Sequence, residues 1–261
     1  MGIVTYRDGI AILQLIVFPV LLVSALFIWK RTGWKAAGKT WRFVISLSLI
    51  RIIGSICTLL TINNANENIY IAEAVCELIG IAPLMLIYVG LLRQIDSEQK
   101  MHPKFLSLVA LACFVGLILG IAGISISDDN SGGTFHANAI VKAAMAIFLV
   151  VFVVDIAITS WLYSHLRLRL TVFQKKLFLA IVLSWPFLLV RLIYSAISDF
   201  TDNSRFAILV GDPTIYLCMD VLEEIIAVSL CVAFGMSAVL DLQPKEQVYN
   251  EAKPELRPGE V

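Results

Sequence analysis

Charge is what this chain has least of. Of its 261 residues, 15% are charged and 59% hydrophobic, and the mean hydropathy is +0.87. Soluble domains carry about 25% charged residues, so water cannot be the solvent for most of this chain. The formal net charge is zero, which leaves no basic footprint for nucleic acid. Histidine is scarce: His102, His136 and His165 lie in or beside loops on different sides. A three-histidine zinc hydrolase is therefore excluded, and neither a metal nor a cofactor is expected. No Asn-x-Ser/Thr acceptor occurs, so glycosylation gives no topological marker. Cys57, Cys76, Cys113, Cys218 and Cys231 all fall in apolar segments and none in a loop. That argues against a disulfide framework and for small core residues.

Other motifs are missing as well. No Ser stands in a Gly-x-Ser-x-Gly setting. The last apolar stretch has no lysine for a retinal Schiff base, and no Asp-Arg-Tyr-like triplet follows the third, where Leu92-Arg93-Gln94-Ile95-Asp96 stands. Glu223-Glu224 is paired as in intramembrane prenyl-protein proteases. The arginine such a motif needs four positions later is replaced by Val228.

What is present is length without charge. About 20 apolar residues cross a bilayer, and seven stretches qualify: 9–29, 43–62, 69–92, 105–125, 139–163, 177–198 and 213–238. The first is too long for a typical signal-peptide core and lacks a small-residue cleavage site, so it reads as a retained span. The fold expected is all-α, a seven-transmembrane helix bundle over residues 1–240. A polar tail, 241–261, carries three prolines and is expected to be disordered. Lys30, Arg31, Lys35, Lys39 and Arg42 crowd the first loop. Arg93, Lys100 and Lys104 mark the third, and Arg167, Arg169, Lys175 and Lys176 the fifth. The alternate loops hold Arg205 against Glu67, Asp128, Asp129, Asp199, Asp202 and Asp212. The positive-inside rule puts the N-terminus outside and the C-terminus in the cytoplasm. Trp29, Trp34, Trp41, Trp161 and Tyr163 are expected as interfacial anchors. Localisation is then multi-pass, in the plasma membrane or an endomembrane.

The second and sixth stretches match each other. Leu49-Ile50-Arg51-Ile52-Ile53-Gly54-Ser55 and Leu189-Val190-Arg191-Leu192-Ile193-Tyr194-Ser195 share four identities in seven positions. Each is followed by a stretch with two acids four apart: Glu73 and Glu77, then Asp220 and Glu224. Four apart means one helix face. Spans one to three and five to seven would be parallel repeats, with the fourth as a connector bearing Gly116, Gly120 and Gly123. This 3+1+3 order is similar to that of small sugar transporters of the SWEET type.

The repeated stretches hold the intramembrane charges. At a rise of 1.5 Å per residue, Glu77, Arg191 and Glu224 lie about 12, 10 and 16 Å below the outer ends of their spans. Arg51, Lys142 and Arg191 face Glu73, Glu77, Asp220, Glu223 and Glu224 in one membrane half, and Asp155 lies deeper. Two acids are surplus over the bases, so part of the set is expected to meet water, a proton or a ligand. The alternative is a closed network that only fixes packing, for which bidentate arginine is suited. Glu223 points about 100° from Glu224 and falls off the shared face. Gln14 is expected to hydrogen-bond between helices. Pro19, Pro83 and Pro186 are expected to interrupt spans.

Five segments resemble an uncharacterised fungal family of seven-span proteins over about residues 4–240. They are Tyr6-Arg7-Asp8-Gly9; Leu49 to Gly54; Cys76-Glu77-Leu78-Ile79-Gly80-Ile81-Ala82-Pro83-Leu84; Pro186 to Tyr194; and Leu222-Glu223-Glu224-Ile225. The resemblance implies a fungal source and a heptahelical fold, and no settled activity. In size, span number and acid placement the chain is also similar to fungal membrane-bound terpene cyclases.

Three functions follow. In the first, the protein binds or transports a small polar or amphipathic molecule, with Arg51, Glu73, Glu77, Arg191, Asp220, Glu223 and Glu224 as ligand-binding residues. In the second, it is an enzyme such as an acid-initiated terpene cyclase, with Asp220 or Glu77 as general acid. In the third, the charges serve packing alone. The expected partners are the lipid bilayer and an unidentified small molecule.

Overall fold

The computed structural model describes residues 5–32, 36–61, 79–96, 101–128, 138–167, 170–201 and 211–252. All regular structure among them is helical: α1 (Tyr6–Thr32), α2 (Ala36–Thr61), α3 (Ile81–Ile95), α4 (Pro103–Asp128), α5 (Ala139–Leu166), α6 (Val172–Phe200) and α7. The last begins as one turn, Pro213–Tyr216, passes through a π-helical turn, Leu217–Val221, and continues as Leu222–Ala252. Among the described residues, five helices are long and apolar enough to cross a membrane: Tyr6–Thr32, Thr40–Thr61, Lys104–Gly123, Ala139–Leu166 and Val172–Phe200. Their outward faces carry Ile16, Val20, Val23, Ile118, Val150 and Val153, each more than 60% exposed. Apolar exposure on that scale marks contact with lipid. The protein is a multi-pass integral membrane protein.

Helix starts are set by local chemistry. The Asn138 side chain accepts from the Ala139 N–H at 2.7 Å to open α5. Thr171 and Gln174 form a reciprocal capping box on α6. Asp212 accepts from Thr214 N–H at 2.9 Å before Pro213 at the first position of α7.

The short helix is the central one. Of the fifteen residues in α3, thirteen are buried, the pattern of a helix enclosed on all sides. Helices α2, α4, α5 and α6 pack around it. Outside this group, α1 packs on α2 and α7, and α7 on α6. The Gln174 side-chain amide donates to the Ile95 carbonyl at 2.9 Å, tying the start of α6 to the end of α3.

Prolines act as expected at one position in particular. Pro83 has no N–H to offer the Ile79 carbonyl, and the helical ladder breaks at Gly80, just before α3. Pro19 and Pro186 are accommodated inside α1 and α6. Gln14 meets its expectation by accepting from the Ser55 hydroxyl at 2.9 Å, joining α1 to α2. Cys57, Cys113, Cys218 and Cys231 are free thiols, and Cys76 lies outside the described residues.

One expectation differs. Trp41 is not an interfacial anchor: it is 1% exposed, with its indole filling the space beside Gly235 on α7. A flat aromatic side chain and a missing Cβ are complementary in volume, and hydropathy cannot see that pairing. Helix α7 is continuous to Ala252, and 253–261 lie outside the described residues. By contrast Trp161 and Tyr163, at the end of α5, stay exposed as interfacial residues do.

A Cβ on Gly235 would overlap the Trp41 ring. Gly235→Val is therefore expected to lower stability by about 1–3 kcal/mol, measured by thermal melting in detergent. Adding Trp41→Phe should recover part of that loss.

Candidate functional site

Two arginines and two carboxylates meet inside the bundle. Arg51 comes from α2, Arg191 from α6, and Asp220 and Glu224 from α7. The Arg51 Nε donates to Glu224 Oε1 at 2.7 Å, while its Nη2 reaches Glu224 Oε2. That is the bidentate fork that suits guanidinium to carboxylate. The same Nη2 lies 3.6 Å from Asp220 Oδ2. Arg191 approaches from the other side, with Nη1 on Glu224 Oε2 and Nε 3.4 Å from Asp220 Oδ1. Each carboxylate thus touches both arginines. The four side chains are between 1% and 7% exposed, and their formal charges cancel.

Local structure explains the convergence. Asp220 and Glu224 are one helical turn apart, and Asp220 sits in the π-helical turn. Single π turns widen a helix and recur at functional sites. The start of α7 is itself anchored: Arg7 Nη2 donates to the Gly211 carbonyl at 3.2 Å, and its guanidinium lies 5.7 Å from the Tyr216 ring centroid. Above the quartet lies Gly80, at the break before α3. A Cβ there would stand 2.6 Å from Arg51 Nη2 and 2.8 Å from Arg191 Nη2. Only glycine lets the α3 backbone approach both guanidinium groups so closely.

The remaining candidates separate. Glu223 is half-buried beside the quartet and outside it, and its Oε2 has no hydrogen-bond partner among the described residues. Glu73 and Glu77 lie outside the described residues. Lys142, counted above with the cluster, is instead the charged neighbour of Asp199 on α6. Asp199 is a residue the span boundaries hide. They end the sixth stretch at 198 and leave Asp199 in a loop, whereas α6 continues through Phe200 and buries it. It lines a small cavity of about 30 Å³, enough for water, with Ile79, Ile81, Phe148 and Ser195. A second buried polar group forms around Asp155. Both its carboxylate oxygens lack a hydrogen-bond partner among the described residues; Tyr88 and Cys113 are near, and Cys231 lies beside Tyr88. No group of residues suited to a metal occurs among the described residues.

The fold and this site define a class: a polytopic helical membrane protein with an ion-pair quartet in its interior. The chain belongs to the DUF7702 family, a domain of unknown function, whose model matches residues 4–241. No curated protein and no solved structure matches it.

Shared carboxylates make the quartet's energetics non-additive. Arg191→Met alone leaves a surplus buried negative charge and is expected to destabilise by about 3–5 kcal/mol. Arg191→Met combined with Asp220→Asn restores neutrality and should lose less than the two single variants together. The coupling, about 0.5–3 kcal/mol, is measured by a double-mutant unfolding cycle in mixed micelles. Gly80→Ala should destabilise as well, by displacing both guanidinium groups.

Proposed function

We propose that this protein binds and moves a small polar or amphipathic molecule through its membrane. Arg51 and Arg191 form the cleft for the molecule's anionic group. Glu224 holds the arginines together when that group is absent. The observation that carries this is sharing: one carboxylate, Glu224, bridges two arginines from two different helices. A ligand carboxylate or phosphate offers the same acceptors. Exchange of one anion for the other frees α7 from α2 or α6, which is the kind of two-state contact that alternating access requires.

The repeat supports the same proposal. Arg51 and Arg191 hold equivalent positions in the matching segments of α2 and α6 and reach one carboxylate pair. In the full arrangement we infer, seven helices span the bilayer, with the N-terminus outside. Helices α1–α3 and α5–α7 form parallel repeats around α4. Glu73 and Glu77 then stand on the span that leads into α3, as counterparts of Asp220 and Glu224. An acid-initiated enzyme has less support. Asp220 lies within ion-pair distance of two guanidinium groups, which is poor company for a proton donor, so that reading depends on Glu77 alone.

Chemical rescue tests the proposal. Glu224→Ala leaves a carboxylate-sized space between two arginines and should melt well below the unaltered protein. Millimolar propionate should restore most of the loss, and propanol should not. If propionate has no effect while Arg191→Met/Glu224→Met folds normally, the quartet serves packing alone and the proposal fails.

A further inference from the structure

A groove lies at the opposite end of α3 from the quartet. Its walls are α2 and α4 and its floor is α3, and it encloses about 620 Å³. The lining changes character along its length. At one end stand Arg42, Arg93 and Ser107; toward the other come Val89, Leu86 and Phe114. From Arg93 to Leu86 is seven residues, about 10 Å along the helix. Lys104 and Leu108 extend the surface at the polar end. Arg93 Nη2 donates to the Ser107 hydroxyl at 3.2 Å, so one arginine is already placed across the mouth. Arg42 stands on the facing wall, exposed. Among the described residues no carboxylate pairs with Arg42, Arg93 or Lys104, in contrast to the neutral quartet.

The floor is fixed rather than collapsible. Gly90 lies against the Thr40 side chain, which in turn accepts from the Gln94 amide at 2.8 Å. Phe43 and Phe114 meet with ring centroids 6.3 Å apart, joining α2 to α4. Three cations with hydroxyl donors at one end, and an apolar slot leading inward, match a molecule with a phosphate head and a hydrocarbon tail.

We propose that this groove is a binding site for an anionic phospholipid of the leaflet that faces the basic loops. Arg42, Arg93 and Lys104 take the phosphate, with Ser107 as a further donor. One acyl chain lies in the slot against Leu86, Val89 and Leu111. A zwitterionic lipid brings a choline cation to the same three positive groups and is disfavoured there. The site is independent of the quartet and of the function proposed for it.

Native mass spectrometry of the full chain in detergent tests this, with dioleoyl phosphatidic acid and dioleoyl phosphatidylcholine titrated separately. The unaltered protein should retain phosphatidic acid in preference to phosphatidylcholine. Each basic residue is worth about fivefold in affinity for anionic lipid, so Arg42→Gln/Arg93→Gln should weaken phosphatidic acid on the order of 25-fold. Leu111→Trp alters an outward-facing position and should weaken phosphatidic acid by blocking the slot, while the melting temperature without added lipid stays unchanged. Inorganic phosphate, which lacks the chain, should not displace the lipid. Equal retention of the two lipids overturns the proposal. So does unchanged affinity in the double variant and in Leu111→Trp, or displacement by inorganic phosphate at concentrations equal to the lipid's.

Discussion

Glu224 is the group on which this arrangement depends. Its carboxylate lies where α2, α6 and α7 converge and is gripped by a guanidinium from each of two helices. Taking ions out of water costs several kcal/mol each even after relaxation. That cost is offset only if every charge finds its opposite at close range. Here it does: Arg51 and Arg191 each touch both Asp220 and Glu224. Removing any one member exposes the others to an apolar interior, so the four act as a unit. The contacts also cross the bundle. Helix α1 packs on α2 and α7, and α6 on α7, while the quartet adds a direct tie between α2 and α7.

The quartet constrains the helix above it. Room for two guanidinium groups beneath the start of α3 requires a residue without a Cβ, and Gly80 supplies it. It also requires the helical ladder to stop, and Pro83 stops it. From that break α3 runs buried to Ile95, where the Gln174 amide caps its last carbonyl. The central helix is thus bounded by ion pairs at one end and by a hydrogen bond from α6 at the other.

Much of this was readable in the residues, and the limits have physical causes. Helices follow from apolar length, which is why an all-α fold with long apolar helices was legible. Arg51, Arg191, Asp220 and Glu224 stood out because a charge in an apolar helix demands a partner. The four-residue spacing of Asp220 and Glu224 put them on one face. The pairing of Arg191 and Arg51 with the acids of α7 was readable from the neighbouring and repeated spans; the place of the third base was not. Lys142 looked like a third base of the cluster and belongs with Asp199, since rotational setting about a helix axis is fixed by packing. Asp199 was hidden by an end effect, one residue past a hydropathy boundary. Trp41 misled for a different reason. Tryptophan near basic residues suits an interface, and only the vacancy beside Gly235, 194 positions later, draws it inward. The surplus of acids rested on Glu73, Glu77 and Glu223. The first two lie outside the described residues, and Glu223 stands beside the quartet rather than within it.

Neutral pairing of two ionised carboxylates with two arginines is the central claim, and infrared spectroscopy reads it directly. The difference spectrum between the unaltered protein and Glu224→Gln, in lipid at neutral pH, isolates the Glu224 side chain. An ionised Glu224 predicts the loss of carboxylate stretching bands and no loss in the protonated carboxyl region. Loss of a protonated carboxyl band instead would show that Glu224 is a neutral acid and that the quartet is not the ion-pair network described.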